Sequence, residues 1–434
     1  MHAGEHKKRH RTDIHQSGPW YRGLRPFVDL SAGLSYRRTQ ITGLSNIPED
    51  GAVIFAPNHS NALMDALCVL RTRKAPTVFG ARADMFENPV FARILHFLKI
   101  IPMVRKRDGI RKVLRNLDII EDIVEVLDEG VSFCMFPEGT HRTKHSLLPI
   151  GKGVFRIAIT AARRLGKPVY VVPVGLEYSD YYRFMGTSLL QFGEAIDVSG
   201  FLAEHPEDGE AALYRGLTSM LQERISGLFT YLPDDGNYDA AWAYTKFATA
   251  GRRRGALTAR LAENRRAAAA AAAPGMDEKL RLASELDEAI HKARISVLSF
   301  GHPGWKHFIF KVFGLLFWIP LLLVSFVAAL PTITVSEGLI LKGKVGDAAF
   351  YNSVRCVVLC LFMPILFVLW LLLGLLTFRI GVCLSLLLAI VVATLAYPAF
   401  HLSLEWLRVW LSDLRLLSRK DLTDAFIRFR NMII

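Results

Sequence analysis

Between residues 38 and 200, short apolar runs alternate with longer segments in which apolar positions return every three or four residues. ITGLSNIP, GAVIFAP, TVFGAR, IIPMV, VSFCMFPEG and KPVYVVPVGLEY read as strands. Residues 61–73, 88–99, 110–128 and the run VFRIAITAARRLG read as helices, the last closed by Gly166. This alternation predicts an α/β fold, a mixed sheet flanked by helices. Residues 201–305 change character: they are charged and alanine-rich, with the run Ala267–Ala273 broken by Pro274-Gly275, and they predict a helical subdomain or linker. Residues 306–434 form a membrane region with apolar segments at 308–330, 354–378 and 380–402. Each is long enough for a hydrocarbon core about 30 Å thick, which takes roughly 20 helical residues. Lys311 and Pro320 weaken the first, which is expected to be re-entrant or interfacial beside two transmembrane helices; three full spans is the alternative. Arg408, Arg415, Arg419, Lys420, Arg428 and Arg430 favour a cytoplasmic C-terminus.

Ahead of the alternating region, residues 1–37 are expected to comprise a basic disordered tail to residue 17 and then a helix. Trp20, Leu24, Phe27, Val28 and Leu34 stand among arginines there, which suits an interfacial helix or one packed on the following domain. The tail has no apolar core of a secretory signal, and its His2, His6, His10 and His15 are given no role.

Composition narrows the partners. The 434 residues are 51% hydrophobic and carry a formal charge of +13, which suits anionic headgroups or small anionic substrates. No zinc-finger spacing or RNA-binding aromatic motif accompanies the charge, so no nucleic-acid partner is expected. Cys68, Cys134, Cys356, Cys360 and Cys383 follow neither a disulfide nor a zinc pattern and read as buried reduced thiols; no metal site is expected.

The strand-like run before Asn58 ends in Asn58-His59, and Asp65 follows six residues after the histidine. On one continuous helix the two would lie about 240° apart and could not pair. Pairing requires a helix that begins after His59, capped by Ser60 or Asn61. One imidazole nitrogen would then meet Asp65 and the other be free as a general base. By itself the pattern fits a satisfied core histidine equally well. A second strand ends in CMFPEGTHR (134–142), where Pro137 fixes φ, Gly139 allows close approach, and Glu138, Thr140 and Arg142 add polar groups: a plausible phosphate cradle, or a solvated turn. IIPMVRKR (100–107) places Arg105 at a strand end, beside Lys106 and Arg107, and VYVVPVGLEY (169–178) carries Pro173 within a strand-like run. These strand ends are expected to converge on one rim of the sheet.

In order, NHSNALMD, IPMVR, FPEGTHR and VVPV resemble the four-block signature of the glycerolipid acyltransferase family, of the NHxxxxD type, over about residues 38–200. The resemblance implies the glycerolipid acyltransferase fold and transfer of an acyl group from an acyl thioester, acyl-CoA or acyl-carrier protein, to a glycerol phosphate, with no cofactor. It implies that His59 is the general base and Asp65 orients it. It also implies that Asn58, Arg105, Glu138, Gly139, Thr140 and Arg142 bind substrate. The second block departs from the family pattern, with Lys99 near the place of a small residue and Lys106 and Arg107 beside Arg105. The C-terminal apolar segments and HSLLPIGKGVFRIAI (145–159) resemble the fungal-type glycerol-3-phosphate/dihydroxyacetone-phosphate enzymes, which implies glycerol-3-phosphate as acceptor; 1-acylglycerol-3-phosphate is the alternative. A bilayer partner is implied, with the catalytic domain on the cytoplasmic face of the plasma membrane or endoplasmic reticulum. A silent membrane scaffold is disfavoured by the intact His59, Asp65, Glu138 and Gly139.

Overall fold

The computed structural model describes residues 14–103, 115–251, 255–301 and 305–433. Its centre is a mixed sheet of β1 (Tyr36–Thr42), β2 (Ala52–Pro57), β3 (Thr77–Arg82), β4 (Ile100–Met103), β5 (Ser132–Cys134), β6 (Val169–Tyr178), β7 (Gly186–Phe192) and β8 (Ile196–Asp197). The strands run in the order β1-β7-β6-β2-β5-β3-β4, with β8 beside β6. β6 is antiparallel to β7 and β8, and the other pairs are parallel. β2 is buried at every position, as expected of a parallel strand covered on both faces.

Pro173 sits within β6, opposite Ala56 of β2. Its missing N–H costs no ladder bond because β6 changes partner there: β8 pairs with Tyr170 and Val171, and β7 with Val174 onward.

One face of the sheet packs against α4 (Arg115–Asp128), α5 (Gly153–Arg164) and α7 (Glu210–Ser226), through Ile123, Leu127, Phe155, Leu217 and Leu221. The other packs against α1 (Pro19–Leu34) and α2 (Ala62–Leu70), through Ala32, Met64 and Cys68. α3 (Pro89–Phe97) and α6 (Val198–Glu204) complete this domain. The sheet core therefore continues past residue 200, because α7 buries Leu213, Leu217, Leu221 and Ile225 in it. The expected boundary at 200/201 divides one hydrophobic unit. α5 ends at Leu165 rather than on a glycine cap, with Leu165 in extended backbone.

The helices α8 (Tyr238–Ala248), α9 (Leu257–Ala271) and α10 (Asp277–Lys292) form a separate cluster. It is closed by Leu416 of α15 (Tyr397–Leu417) and by Phe426 and Phe429 of α16 (Lys420–Ile433). The stretch before α1 is also anchored: Lys99 Nζ donates to the carbonyls of Ile14 and Gln16, at 2.6 and 2.7 Å. Residues 1–13 of the expected tail lie outside the described residues.

Among the described residues three helical stretches, Phe308–Ala328, Ala348–Phe378 and Val382–Leu417, are long and apolar enough to cross a membrane. They belong to α11 (Trp305–Ala328), α13 (Tyr351–Leu372) with its π-helical continuation, and α14 (Val382–Val391) running through a π-turn into α15. α11 runs antiparallel to α15, with Lys311 against Asp413 and Phe326 against Phe400. α12 (Leu330–Leu341) then runs antiparallel to α13, from Ala328 beside Trp370 to Glu337 beside Arg355. α11 and α12 are thus joined at Ala329 and turn back on one another, α11 along α15 and α12 along α13. α1 docks on α13, Ser31 Oγ donating to the Cys356 carbonyl at 2.7 Å.

Candidate active site

β2 delivers Asn58 and His59 to the rim of the sheet, and Asn58 is fixed there by two bonds to the Leu176 main chain, at 3.1 and 2.7 Å. α2 begins after His59, at Ala62, and His59 Nδ1 lies 2.9 Å from Asp65 Oδ2. The pair forms in the way the spacing required, but the capping differs from expectation. Neither Ser60 nor Asn61 caps α2 with its side chain. Asp65 reaches back instead, and its Oδ2 accepts the Ser60 and Asn61 N–H groups at 2.8 and 2.7 Å. The NHxxxxD description also needs correction: five residues, Ser60 to Met64, separate His59 from Asp65. The chain enters α2 at Ala62, whose φ is +44°. A left-handed non-glycine residue costs on the order of 1–3 kcal/mol and persists where surrounding contacts fix it.

Asp65 is fully buried. Its second oxygen accepts from the Tyr178 hydroxyl at 2.7 Å, and burial pushes the Tyr178 phenol well above its ordinary range, so it stays a donor. Four donors therefore surround the carboxylate, which is what a buried charge requires. Because the carboxylate accepts, Nδ1 of His59 carries a proton, and in the neutral tautomer Nε2 is the nitrogen with the lone pair. Among the described residues Nε2 has no hydrogen-bond partner. The ring stacks on Phe136, centroids 3.9 Å apart.

The turn at 136–146 is tied to this pair by main chain. His59 N–H donates to Glu138 Oε1 at 2.7 Å, Leu148 N–H donates to Oε2 at 2.8 Å, and Arg142 N–H donates to the His59 carbonyl at 3.0 Å. Gly139 has a φ of +69°, which a glycine adopts without strain; it is exposed and Thr140 half-buried. Glu138 thus acts as a splint between two loops. Its burial outweighs these bonds and pushes the carboxyl up to about 7. A folded-state pKa above the unfolded value means the native protein holds more protons between about 4.5 and 7, so this group favours the fold less as pH rises through that window. Glu138→Gln is expected to flatten that part of the thermal-stability profile. It should also lower kcat several-fold, because one amide N–H would oppose a main-chain donor; differential scanning fluorimetry from pH 4 to 8 and a rate assay check both.

The other sequence-predicted residues divide. Arg142 turns its guanidinium to Asp234, which Lys144 also binds at 2.8 Å, and donates to Ser146 Oγ at 2.6 Å. Arg105, with Lys106 and Arg107, lies outside the described residues. Pro173 lies deeper in β6, away from the strand end. The sequence reading missed three neighbours: Tyr178, His141 and Asp347. Tyr178 ends the VVPVGLEY run and could have been found as the polar residue at that strand's end. His141, inside FPEGTHR, lies edge-on to His59 with centroids 5.5 Å apart, and its Nε2 is 2.9 Å from Asp347 Oδ2.

Comparison with known proteins places this geometry. Residues 38–177 match the family model described as Acyltransferase. The chain is 30% identical over 142 residues to 1-acyl-sn-glycerol-3-phosphate acyltransferase BAT2, chloroplastic, of Brassica napus, a match covering 32% of this chain and 38% of that protein. It is 30% identical over 125 residues to glycerol-3-phosphate O-acyltransferase 2 of Saccharomyces cerevisiae, covering 29% of this chain and 16% of that one. The matched stretch thus spans well under two thirds of these relatives. The crystal structure of the 1-acyl-sn-glycerophosphate acyltransferase PlsC from Thermotoga maritima aligns with a TM-score of 0.35 and 22% identity, over 49% of this chain and 83% of that one. Residues 38–177, which hold His59, Asp65 and the FPEGTHR turn, thus match an acyltransferase domain, and over them the chain is similar to glycerolipid acyltransferases.

Proposed function

We propose that the protein is a membrane-bound O-acyltransferase that moves a fatty acyl group from an acyl thioester to a hydroxyl of a glycerol phosphate in phospholipid synthesis. The observation that carries this reading is the His59–Asp65 pair, with Nδ1 engaged by a buried carboxylate and Nε2 unpartnered. In the proposed step, Nε2 of His59 takes the acceptor's hydroxyl proton as the oxygen attacks the thioester carbonyl. The tetrahedral intermediate collapses, the thiolate leaves, and the imidazolium returns the proton to it. Asp65 stabilises the imidazolium between these events. Transfer is direct: burial pushes the Cys68 thiol up to about 12 and Cys134 well above its ordinary range, so neither is a ready nucleophile. The thioester, on coenzyme A or a carrier protein, is the only activated group the step needs.

Glycerol-3-phosphate is the proposed acceptor, in keeping with the C-terminal membrane segments and the yeast relative's name. A second reading, 1-acylglycerol-3-phosphate, is favoured by the names of the plant relative and of a Borreliella burgdorferi relative. Phe136 and Phe350 near the site also favour it, since they offer an apolar wall to a lipid tail. The active domain is proposed to face the cytoplasm. Purified protein in nanodiscs, given each acceptor in turn with acyl-CoA or acyl-carrier protein, tests the assignment. The expected result is at least tenfold higher kcat/KM for glycerol-3-phosphate; the reverse order moves the assignment to the lysolipid, and no transfer to either overturns the acyltransferase reading. Arg105→Ala is expected to raise the acceptor KM with little change in kcat. An unchanged KM would move phosphate binding to other basic residues.

A further inference from the structure

The partner of His141 comes from the membrane region. Asp347 lies 206 residues further along the chain, in the connection between α12 and α13, and its Oδ2 sits 2.9 Å from His141 Nε2. The other oxygen accepts the Ala349 N–H at 2.9 Å, so the connection itself aims the carboxylate. That bond, and then His141, hold the Asp347 carboxyl below its usual range. Phe350, three residues on, meets the His141 ring edge-on at 5.0 Å.

The connection is also braced. Asn352 Nδ2 donates to the Tyr181 carbonyl and Arg355 Nη1 to the Tyr182 carbonyl, both at 2.8 Å. Arg355 is itself gripped by both oxygens of Glu337, at 2.7 and 2.9 Å. Tyr182 in turn donates its hydroxyl to Thr143 Oγ1 at 2.9 Å, inside the turn that follows FPEG. The segment after Tyr178, the FPEGTHR turn and the α12–α13 connection are thus fastened to one another around His59.

We propose that the α12–α13 connection is a working part of the acyl-transfer site, in which Asp347 positions His141 as a further group that binds the acceptor's phosphate. The inference rests on the acyltransferase reading above. In an imidazolium both ring nitrogens donate, so with Asp347 on Nε2 the ring can offer Nδ1–H to an anionic oxygen. Two carboxylate-held imidazoles 5.5 Å apart, one placed to take a hydroxyl proton and one to donate to an anion, match a molecule whose hydroxyl and phosphate are separated by a short carbon chain. Arg142 turns both terminal nitrogens away from this place, Nη1 to Asp234 and Nη2 to Ser146, and its remaining Nε is buried. On this account the site is complete only while the acyltransferase domain is docked on its own membrane helices.

The test is a double-mutant cycle on the full-length protein in nanodiscs, with acceptor KM and kcat measured separately. Asp347→Asn keeps an oxygen for the Ala349 N–H but removes the charge. It is expected to raise acceptor KM about tenfold with kcat within about threefold. His141→Gln is expected to do the same, and Asp347→Asn added to it should change KM less than twofold. Additive effects, or an acceptor KM in Asp347→Asn within twofold of the wild type, would overturn the inference. So would an effect in Asp347→Ala that Asp347→Asn lacks, since the residue would then only shape its own turn. Wild-type protein inactive on either acceptor would instead remove the acyltransferase reading, and this inference with it.

Discussion

His59→Ala is expected to lower acyl transfer by about 10²–10⁴-fold, the range of general-base catalysis, while the protein still folds, inserts and binds its acceptor. The separation is expected because the residue's structural work is done by its main chain. Its N–H bonds Glu138 and its carbonyl accepts from Arg142, and alanine keeps both. What is lost is the ring, one of four donors to Asp65 and a stacking partner of Phe136. Removing one donor from a buried carboxylate costs about 1–3 kcal/mol, a shift of a few degrees in melting temperature for a protein of this size. The measurement is single-turnover acyl transfer alongside a thermal melt. Near-normal turnover in a well-folded His59→Ala protein would mean that another group takes the proton.

That expectation was largely legible in the sequence, because the His59–Asp65 spacing is local and its geometry follows from the helical period. A chain turn between strand and helix was the only arrangement in which the two could meet, and α2 begins at Ala62. The details of the turn were not legible. The caps expected of Ser60 and Asn61 give way to Asp65 itself, since a buried carboxylate one turn into a helix is a stronger acceptor than a hydroxyl or amide. Nor does composition announce the left-handed backbone at Ala62, where α2 begins.

Groups brought in over long sequence distances were the least visible. Tyr178 reaches Asp65 across 113 residues and Asp347 reaches His141 across 206, and neither interval leaves a period or motif. Pro173 looked out of place in a strand, and only the switch of β6 between β8 and β7 explains why it is tolerated. The division expected at residue 200 followed a change in composition. Composition did not reveal that α7, charged on its outer face, carries Leu213, Leu217, Leu221 and Ile225 into the sheet core. The membrane segments were legible from length and apolarity. That α11 and α12 turn back together depends on pairings such as Lys311 with Asp413 and Glu337 with Arg355.

Asp65→Asn separates the charge of the carboxylate from its geometry and carries the second large effect. Oδ2 of Asp65 accepts from His59, Ser60 and Asn61, and Oδ1 only from Tyr178. An asparagine can therefore place its oxygen where Oδ2 stands and its amide toward Tyr178, whose hydroxyl rotates to accept. Each partner of Asp65 keeps its bond, the opposite amide orientation is excluded by the two main-chain donors, and His59 keeps its Nδ1–H tautomer. The negative charge that stabilises the imidazolium disappears. General-base catalysis contributes about 10²–10⁴-fold, which bounds the effect of removing that charge. The expected result here is a fall in kcat of about 10²–10⁴-fold, an acceptor KM within about threefold of the wild type, and a melting temperature within a few degrees. Asp65→Ala is expected to behave differently. It strands the Ser60 and Asn61 N–H groups and the Tyr178 hydroxyl in a buried site at about 1–3 kcal/mol each, so activity and fold fail together. If Asp65→Asn kept wild-type kcat while Asp65→Ala unfolded, Asp65 would be a helix cap and loop clamp alone, and the imidazolium of His59 would need no counter-charge.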